Sequence, residues 1–408
     1  MRTGIFGGSF DPVHIEHIAL VKAAISSLKL DRVFVLPAYV PPHKRGRVLA
    51  DDAHRTAMLK EAFKNVPQAI VSDYEISRGG VSYTYLTCRH FAETYPEDTL
   101  YFLVGTDMLR DFPTWKNPEE ILRYADLAVC DRAEENEKWR EEEQAKFFAR
   151  FKKRFETVNY KATSVSSTEA RVKAAAGDDT SALCGAAVAE YIRAHRLYEI
   201  PNAHEALATE KPSRREHSLR VAVAAAKKAA GLHLPERQAV TAALFHDCAK
   251  NLPLSSPILD GFALPDGVPR PVPEPVLHQF TGAYAAEHAY GITDEEILNA
   301  IRYHTSGRAG MSLLEQLIFL ADMVEDGRDY PGVKELRKLF YAEENSLDFT
   351  TFEALRETLC HLEERGGEIY PLTREAYEDA ERKIAYLKAF GEKHKLETKV
   401  DEAGNVLI

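Results

Sequence analysis

Two short strings combine glycines, hydroxyls and histidines in an order that suits a nucleotide phosphate site. The first, GGSFDPVHIEH, runs from Gly7 to His17 and follows an apolar stretch. Its glycines let backbone N–H groups approach an anion, and His14 and His17, three residues apart, face one side of a helix. The second, SSTEAR, runs from Ser166 to Arg171 and offers several hydroxyl donors and a planar cation at the start of another helix. Together they predict a site for nucleotide phosphates and suggest adenylyl transfer.

Histidines and aspartates recur in the second half of the chain in a pattern typical of a metal site. His217 stands alone, His246 and Asp247 are adjacent in FHDCAK, and Asp322 lies in IFLADMVEDGRD. An adjacent His and Asp can converge on one ion from a helix end, while the other two side chains close the site from other helices. This mixed nitrogen and oxygen set suits iron, manganese or a similar ion.

The elements that position the first pair of strings are strands alternating with helices. From Thr3 to about Arg132 the apolar runs TGIF, RVFVLPA, AIVSDYE, TLYFLVG and DLAVC alternate with helical stretches. This pattern predicts a doubly wound α/β fold with a parallel sheet, which binds ligands at the carboxyl ends of its strands. Residues 133–155 are densely charged with phenylalanines at helical spacing, which predicts a surface helix with one apolar face.

Beyond about residue 200 the periodicity is helical almost throughout, apart from a proline-rich loop from Pro257 to Pro275. The sequence therefore predicts an α/β domain over residues 1–200, a linker over 201–212, an all-α domain over 213–392 and a polar tail over 393–408.

Composition narrows the classes of function. The net charge of −11 argues against a broad nucleic-acid surface, whereas small phosphorylated substrates need only a local basic pocket. We find neither a membrane-spanning run nor room for a signal peptide, so the expectation is a cytoplasmic protein that binds no membrane. The five scattered cysteines are expected to be reduced thiols. A homo-oligomer is compatible with these features.

The first half resembles the bacterial nicotinate mononucleotide adenylyltransferase family over roughly residues 1–200. Besides the two phosphate strings, the resemblance includes PPHK ending at Lys44, Arg55 with Met58, SYT ending at Thr84, and GTDMLRDFPTW from Gly105 to Trp115. Phosphopantetheine adenylyltransferase shares the fold and the histidines, but PPHK, SYT and FPTW favour nicotinate.

The resemblance implies that ATP, with Mg²⁺, lies over the glycine-rich string and that the two histidines stabilise charge. Trp115 would stack on the nicotinate ring, with core packing as the alternative; Lys44 would attract a phosphate, with an ordinary surface lysine as the alternative. The implied ATP and substrate residues are Gly8, Ser9, Phe10, Lys44, Thr84, Gly105, Asp107, Trp115, Ser166, Ser167, Thr168 and Arg171, and the implied catalytic residues are His14 and His17.

One residue departs from the family pattern. Family members commonly have HxGH where this chain has HIEH, so Glu16 replaces a glycine. A carboxylate facing ATP would repel its phosphates, whereas one pointing to solvent from the first helical turn would be favourable by ~0.3–1 kcal/mol.

The second half resembles the HD phosphohydrolase superfamily. Over residues 213 to about 390 it looks like the iron-dependent bacterial branch of that superfamily, which cleaves diadenosine tetraphosphate symmetrically to two ADP. The strings from Asn299 to Val333 and RGGEIYPLT carry much of this resemblance. It implies His217, His246, Asp247 and Asp322 as ligands of iron or another divalent metal, in a mononuclear or dinuclear site. The residues implied to hold the nucleotide are Arg214, Asp247, His278, His304, Thr305, Asp322 and Arg328.

Some roles in this half stay open. His278 and His304 could instead bind a second metal. Lys250 could stabilise charge as a catalytic residue, or simply interact with helix-end carbonyls. The half could also be a nucleotide-sensing module or another phosphodiesterase, and the first half a nucleotide-binding scaffold, although the retained His14, His17 and Arg171 argue against the last.

Overall fold

The computed structural model describes residues 1–42, 48–131, 137–160, 163–342 and 347–394, together with 399–400 and 406–407. Two compact units divide the chain. The first comprises Met1–Ala174 and Asp179–Tyr198, and the second comprises Ala175–Asp178 and Glu199–Ile408.

A six-stranded parallel sheet forms the centre of the first unit. Its strands are β1 (Arg2–Gly8), β2 (Arg32–Pro37), β3 (Ala69–Val71), β4 (Thr99–Gly105), β5 (Asp126–Asp131) and β6 (Glu156–Asn159). They lie in the order β3-β2-β1-β4-β5-β6, and Ile5 of β1 pairs with Phe34 of β2 on one side and Phe102 of β4 on the other. The predicted doubly wound fold is confirmed, and its strand order reverses between β1 and β4, where such sheets form a ligand crevice.

Helices cover both faces of this sheet. They are α1 (Ile15–Leu28), α2 (Asp52–Phe63), α3 (Tyr74–Arg78), α4 (Thr84–Thr94), α5 (Thr106–Asp111), α6 (Pro118–Tyr124), α7 (Glu137–Phe151), α8 (Ser167–Ala175), α9 (Ser181–Cys184) and α10 (Ala186–Ala194). Successive residues of a strand point to opposite faces, so Phe6 packs in the core with α1 and α2 while Ile5 packs in the core with α4 and α6.

Two details of the first unit differ from the sequence prediction. The run AIVSDYE was expected to be one strand, but β3 ends at Val71 and α3 begins at Tyr74. The charged segment forms the expected helix, α7, but residues 156–159 then add the edge strand β6, which was not predicted.

The second unit is helical, as predicted. Its helices are α11 (Ala203–Ala208), α12 (Pro212–Ala229), α13 (Glu236–Phe245), α14 (Glu274–His288), α15 (Glu295–Arg302), α16 (Leu313–Val324), α17 (Val333–Tyr341), α18 (Leu347–Glu364) and α19 (Pro371–His394). Two short antiparallel strands follow, β7 (Lys399–Val400) and β8 (Val406–Leu407). Helix α11 lies within the predicted linker, and α14 begins inside the predicted proline-rich loop.

Small and apolar residues explain the packing of this unit. Helices α12 and α13 contact each other, and both bury alanines, such as Ala222 and Ala225 on α12 and Ala242 on α13, whose small side chains favour a close approach of helix backbones. Helix α16 buries most of its length and begins with a capping box between Ser312 and Glu315. The side chains of α12, α13 and α16 are therefore held in a rigid frame. Within the described ranges, every helix is too short or too polar to cross a bilayer.

Candidate functional site

The glycine-rich string forms a tight loop at the carboxyl end of β1. A Cβ on Gly8 would stand 3.0 Å from the ring of Phe10, so glycine leaves room for that ring beneath the loop. Phe10 has a φ of 46° and its side chain is buried in the core. Of the three residues predicted to lie under ATP, Phe10 therefore offers its backbone rather than its ring, while Gly8 and Ser9 are partly exposed.

Arg55 fixes this loop from below. The side chain is completely buried, its Nη1 donates to the carbonyl oxygen of Ser9 at 2.8 Å, and its Nε donates to that of Ala50 at 3.0 Å. Its remaining nitrogen pairs with the carboxylate of Asp52. A guanidinium with several partners in a fixed geometry thus links the loop to the start of α2.

The two histidines lie at the N-terminus of α1 with their rings stacked, at a centroid distance of 3.7 Å. The backbone N–H of His14 donates to Nδ1 of His17 at 3.1 Å. Because Nδ1 is the acceptor, the proton of the neutral His17 ring lies on Nε2. The imidazoles share one side of the helix, as their spacing predicts.

The second string packs directly against the first. The hydroxyl of Ser167 donates to the carbonyl of Pro12 at 2.9 Å. Arg171 is buried, and it donates through Nη1 to the carbonyl of Asp11 at 2.5 Å and through Nη2 to the hydroxyl of Thr168 at 3.1 Å. The N-terminus of α8 therefore lies beside that of α1, so both helix dipoles are available to one anionic ligand.

Gly105 ends β4 next to β1 at the point where the strand order reverses. A Cβ on Gly105 would lie 2.5 Å from Oδ1 of Asp107, so the Asp107 carboxylate folds back over the glycine. Trp115 is partly buried, with its ring 5.4 Å from that of Phe112 and 6.1 Å from that of Phe102. The ring packs on the core with one part exposed, and its stacking on nicotinate stays a prediction.

The other predicted residues of this half are placed as follows. Ser166 caps α8, with its hydroxyl accepting from the backbone N–H of Glu169 at 3.2 Å. Thr84 is the first residue of α4. Lys44 lies outside the described residues.

Glu16 adopts neither of the orientations considered from the sequence. Its side chain is only 4% exposed, and Oε1 accepts hydrogen bonds from the backbone N–H of Thr163 and, at 3.1 Å, from the Thr163 hydroxyl. The carboxylate thus joins the first turn of α1 to the segment that leads into α8.

In the second unit, four helices bring the predicted metal ligands together. His217 on α12 has its Nε2 2.8 Å from Oδ1 of Asp322 on α16. His246 and Asp247 follow the end of α13, and His304 follows the end of α15. Ligand atoms lie within 4.8 Å of one another in two groups: His217, His246 and Asp322, and His246, Asp247 and His304. The second unit thus contains a His/Asp cluster able to bind metal.

The hydrogen bonds behind two of these histidines fit them to a cation. Nδ1 of His246 faces the carbonyl oxygen of Ala243 at 2.7 Å, and Nδ1 of His304 faces that of Ile301 at 2.8 Å. A carbonyl only accepts, so each Nδ1 carries a proton, and Nε2 offers a lone pair to a metal whenever the ring is neutral. Burial lowers the pKa of His304 to about 4, which keeps the ring neutral.

Cations and hydrogen-bond donors surround the Asp247 carboxylate. Nη1 of Arg214 is 2.9 Å from Oδ2, while Nζ of Lys250 is 3.3 Å and Nε2 of His278 is 3.2 Å from Oδ1. The Thr305 hydroxyl lies 3.1 Å from Nε2 of His278. Burial alone would raise the pKa of Asp247, but the charge of His246 and the hydrogen bonds of the histidines outweigh it and hold the pKa well below its usual range.

Arg328 plays a similar part at Asp322. It pairs with the Asp322 carboxylate and donates through Nε to the Asp322 carbonyl at 2.8 Å. Burial would raise the pKa of Asp322, but the hydrogen bond with His217 and the charge of Arg328 keep it well below its usual range. Both aspartates therefore stay ionised and can bind a cation.

Sequence reasoning missed one carboxylate of this site, Glu325. It lies three residues after Asp322 and contacts Nδ1 of His217 at 3.0 Å. The string IFLADMVEDGRD contains it, and the one-turn spacing from Asp322 was the signal that could have identified it.

Comparison with known proteins covers both units. The chain matches the family described as Cytidylyltransferase-like over residues 5–173 and the family described as HD domain over residues 214–327. The probable nicotinate-nucleotide adenylyltransferase/Ap4A hydrolase of Mycoplasma genitalium is 32% identical over 325 residues, which cover 79% of this chain and 87% of that protein. The protein of the same name from Mycoplasma pneumoniae is 30% identical over 325 residues, which cover 79% of this chain and 88% of that protein.

A shorter relative covers the first unit. The probable nicotinate-nucleotide adenylyltransferase of Clostridium tetani is 34% identical over 197 residues, which cover 48% of this chain and 98% of that protein. The Mycoplasma proteins combine both parts and align over most of their own length. Together with the strand order, the paired phosphate strings and the His/Asp cluster, this similarity shows that the chain belongs to the family of probable nicotinate-nucleotide adenylyltransferase/Ap4A hydrolases.

Proposed function

We propose that this chain carries two activities. The first unit transfers the adenylyl group of ATP to nicotinate mononucleotide, producing deamido-NAD and pyrophosphate. The second unit hydrolyses diadenosine tetraphosphate (Ap4A) symmetrically to two ADP. The observation that supports the pair of activities best is that each unit assembles its own predicted site. In the first unit the two phosphate strings meet, and in the second His246 shares one ligand group with His217 and Asp322 and another with Asp247 and His304.

Adenylyl transfer requires positioning and charge stabilisation rather than a covalent intermediate. A phosphate oxygen of nicotinate mononucleotide attacks the α-phosphorus of ATP, and the bond to the pyrophosphate oxygen breaks. The N–H on Nε2 of His17 and the N-termini of α1 and α8 can stabilise the charge that develops on the phosphates. Mg²⁺ arriving with ATP neutralises part of the same charge.

The acceptor is inferred from the surroundings of the loop. The partly exposed ring of Trp115, 6.1 Å from the ring of Phe102 on β4, offers a flat apolar surface, which suits an aromatic ring such as nicotinate. Relatives named nicotinate-nucleotide adenylyltransferases favour this acceptor over phosphopantetheine.

In the second unit, His217, His246, Asp247 and Asp322 would hold a divalent metal such as iron, with His278 and His304 beside it. A metal in this site supplies an activated water near neutral pH. The Arg214 and Lys250 side chains bring positive charge to the Asp247 carboxylate, where they can bind the tetraphosphate and stabilise the departing ADP. Attack on either inner phosphorus breaks the central P–O–P bridge and gives two ADP.

The hydrolase is tested with metal-reconstituted protein, diadenosine tetraphosphate and chromatographic separation of products. We expect two ADP from the unaltered chain and from Asp266→Ala, a surface variant, but none from Asp247→Ala. AMP plus ATP would mean asymmetric cleavage. Metal binding without turnover would favour a nucleotide-sensing module, and preferential cleavage of oligonucleotides would favour another phosphodiesterase.

The transferase is tested by pyrophosphate release from ATP with nicotinate mononucleotide, nicotinamide mononucleotide or phosphopantetheine as acceptor. We expect release with nicotinate mononucleotide, strongly reduced in His17→Ala and unchanged in Lys22→Ala, whose side chain is exposed on the same helix. Faster release with phosphopantetheine would contradict the assignment.

A further inference from the structure

Glu325 is a buried carboxylate directly behind one of the metal-site histidines. It follows the last residue of α16 and is 1% exposed. Its Oε1 is 3.0 Å from Nδ1 of His217, while Nε2 on the opposite side of that ring is 2.8 Å from Asp322. The His217 ring thus connects Glu325 to the metal cluster.

The second oxygen of the carboxylate is also fixed. Oε2 accepts a hydrogen bond from Nε of Arg220 at 2.5 Å and another from the backbone N–H of Gly327 at 2.6 Å. Arg220 lies on α12 three residues after His217, so the helix that carries the histidine also carries the cation that anchors its partner. The carboxylate therefore has a single orientation, with Oε1 directed at the imidazole.

Gly327 leaves the space that this arrangement needs. A Cβ built on it would stand 2.6 Å from the guanidinium of Arg220. Any side chain at this position would displace Arg220 from Glu325. The glycine after α16 thus leaves room for the ion pair between Arg220 and Glu325.

His217 differs in this respect from two other histidines of the cluster. The Nδ1 atoms of His246 and His304 face neutral backbone carbonyls, whereas that of His217 faces an anion. A carboxylate fixes the proton on Nδ1 and increases electron density at Nε2 more strongly than a carbonyl does. His217 is therefore expected to be the strongest nitrogen donor of the three.

We propose that Glu325 is a positioning residue of the metal site: it orients His217 and strengthens Nε2 as a metal ligand, and Arg220 and Gly327 hold it in place. This inference rests on the proposed metal-dependent function. The alternative is a purely structural role, in which Glu325 stabilises the contact between α12 and α16 without affecting metal binding.

Titration of the metal-free full-length protein with Co²⁺, followed by its visible d–d absorption, separates these roles. Glu325→Gln keeps the shape of the side chain and removes its charge. Substituting the hydrogen-bond partner of a metal-binding histidine typically weakens metal affinity about ten- to a hundredfold. We therefore expect Glu325→Gln to bind Co²⁺ about ten- to a hundredfold more weakly and to give an altered Co²⁺ spectrum. The far-ultraviolet circular dichroism spectrum should be unchanged.

Glu315→Gln is the matched control. Glu315 lies on α16, the helix that ends just before Glu325; it is 2% exposed and is paired with an arginine, with Nη2 of Arg308 at 2.6 Å. The Glu315→Gln variant should have a lower thermal stability than the unaltered protein but the same Co²⁺ affinity and the same Co²⁺ spectrum.

If Glu325→Gln does not fold, Arg220→Met tests the same inference by removing one of the two hydrogen bonds to Oε2 while leaving Glu325 in place. A weakening of Co²⁺ binding by about threefold or more would support the role of Glu325. Unaltered affinity in either folded variant would overturn it. Failure of the unaltered protein to bind Co²⁺ would overturn the proposed metal site, and the inference with it.

Discussion

At the scale of single residues, Glu16 illustrates how one carboxylate can join two distant parts of a site. It accepts two hydrogen bonds from Thr163 although it lies in the first turn of α1. Hydrogen bonds to a charged group contribute about 1.5–3 kcal/mol each to stability, and removing the buried acceptor leaves its donors without a hydrogen bond, which destabilises the fold. We expect Glu16→Ala to lower the free energy of unfolding by roughly 1–3 kcal/mol and Glu16→Gln by less, because Gln still accepts.

Urea unfolding followed by tryptophan fluorescence measures this effect, because both tryptophans of the chain, Trp115 and Trp139, lie in the first unit. Lys22→Ala, an exposed position on α1, is the control and should change stability by less than about 0.5 kcal/mol. Equal stability of Glu16→Ala and Lys22→Ala would refute a structural role for this carboxylate.

Gly105 is a second residue whose substitution has a defined consequence. A methyl group there would push away the Asp107 carboxylate, which is exposed and able to move, so the fold should tolerate the change. Loss of one hydrogen bond that the Asp107 carboxylate accepts from ATP corresponds to about 1.5–3 kcal/mol, so Gly105→Ala should raise KM for ATP about tenfold or more. Steady-state adenylyl-transfer kinetics measure this, with the Ap4A hydrolysis rate of the same sample as an internal control. An unchanged KM would remove Asp107 from the ATP site.

Sequence indicated the residue types of both sites but not all of their partners. His217, His246, Asp247 and Asp322 could be grouped because their order and adjacency are unusual. The one-turn spacing of Glu325 from Asp322 places it near the site, but the spacing does not reveal its partner, because His217 is 108 residues away and a glutamate after a helix is ordinarily a solvated residue. The same limit applied to Glu16, whose burial depends on where the segment before α8 passes.

At the scale of elements, sequence periodicity identified five strands of the sheet. Four of these strands, β1, β2, β4 and β5, have apolar runs because parallel strands are buried on both faces, whereas none of the three residues of β3 is fully buried. The sequence contains no clear strand signal for β6, because this strand has only four residues, begins with Glu156, ends with Asn159 and lies at the edge of the sheet. In AIVSDYE the propensity of Tyr74 for strands was overridden by the turn before α3.

The amino end of the sheet is held by Asp98, which connects three elements. Its carboxylate accepts from the Thr3 hydroxyl at 2.6 Å and Nη2 of Arg32 at 2.7 Å, and it pairs with the amino group of Met1 at 3.1 Å. Burial would raise the pKa of Asp98, but these three partners outweigh it and lower the pKa from 3.8 to about 2. The unfolded chain therefore binds this proton more readily than the folded one.

The stabilisation by Asp98 is thus fully present above about pH 4 and is lost as the pH falls towards about 2. We expect Asp98→Asn to be less stable than the unaltered protein at neutral pH, with a difference that narrows as the pH approaches 2. Urea midpoints from tryptophan fluorescence at several pH values check this. A difference that is constant with pH would show that the charge of Asp98 is irrelevant.

At the scale of the whole molecule, the two units should respond separately to metal removal. After chelation and return to buffer with Mg²⁺, we expect Ap4A hydrolysis to be lost until Fe²⁺ or Mn²⁺ is added, while adenylyl transfer continues. A metal present at about 100 times its Kd stabilises the folded state by ~2.7 kcal/mol. Calorimetry should therefore show that metal removal lowers the unfolding temperature of the second unit. Tryptophan fluorescence should not report this change, because both tryptophans lie in the first unit. Loss of both activities, unrestored by Mg²⁺, would contradict this independence.

The buried guanidinium of Arg55 also has a consequence for the catalytic cycle. It holds the Ser9 carbonyl from inside the domain, so the loop over which ATP is expected to lie is ordered by folding itself. Fixing the backbone of one residue costs about 1–2 kcal/mol, or roughly 3–6 kcal/mol for Gly8, Ser9 and Phe10 together. That conformational entropy is lost once, when the domain folds, and not in every turnover. More of the binding energy of ATP is therefore available to align its α-phosphorus with the incoming phosphate.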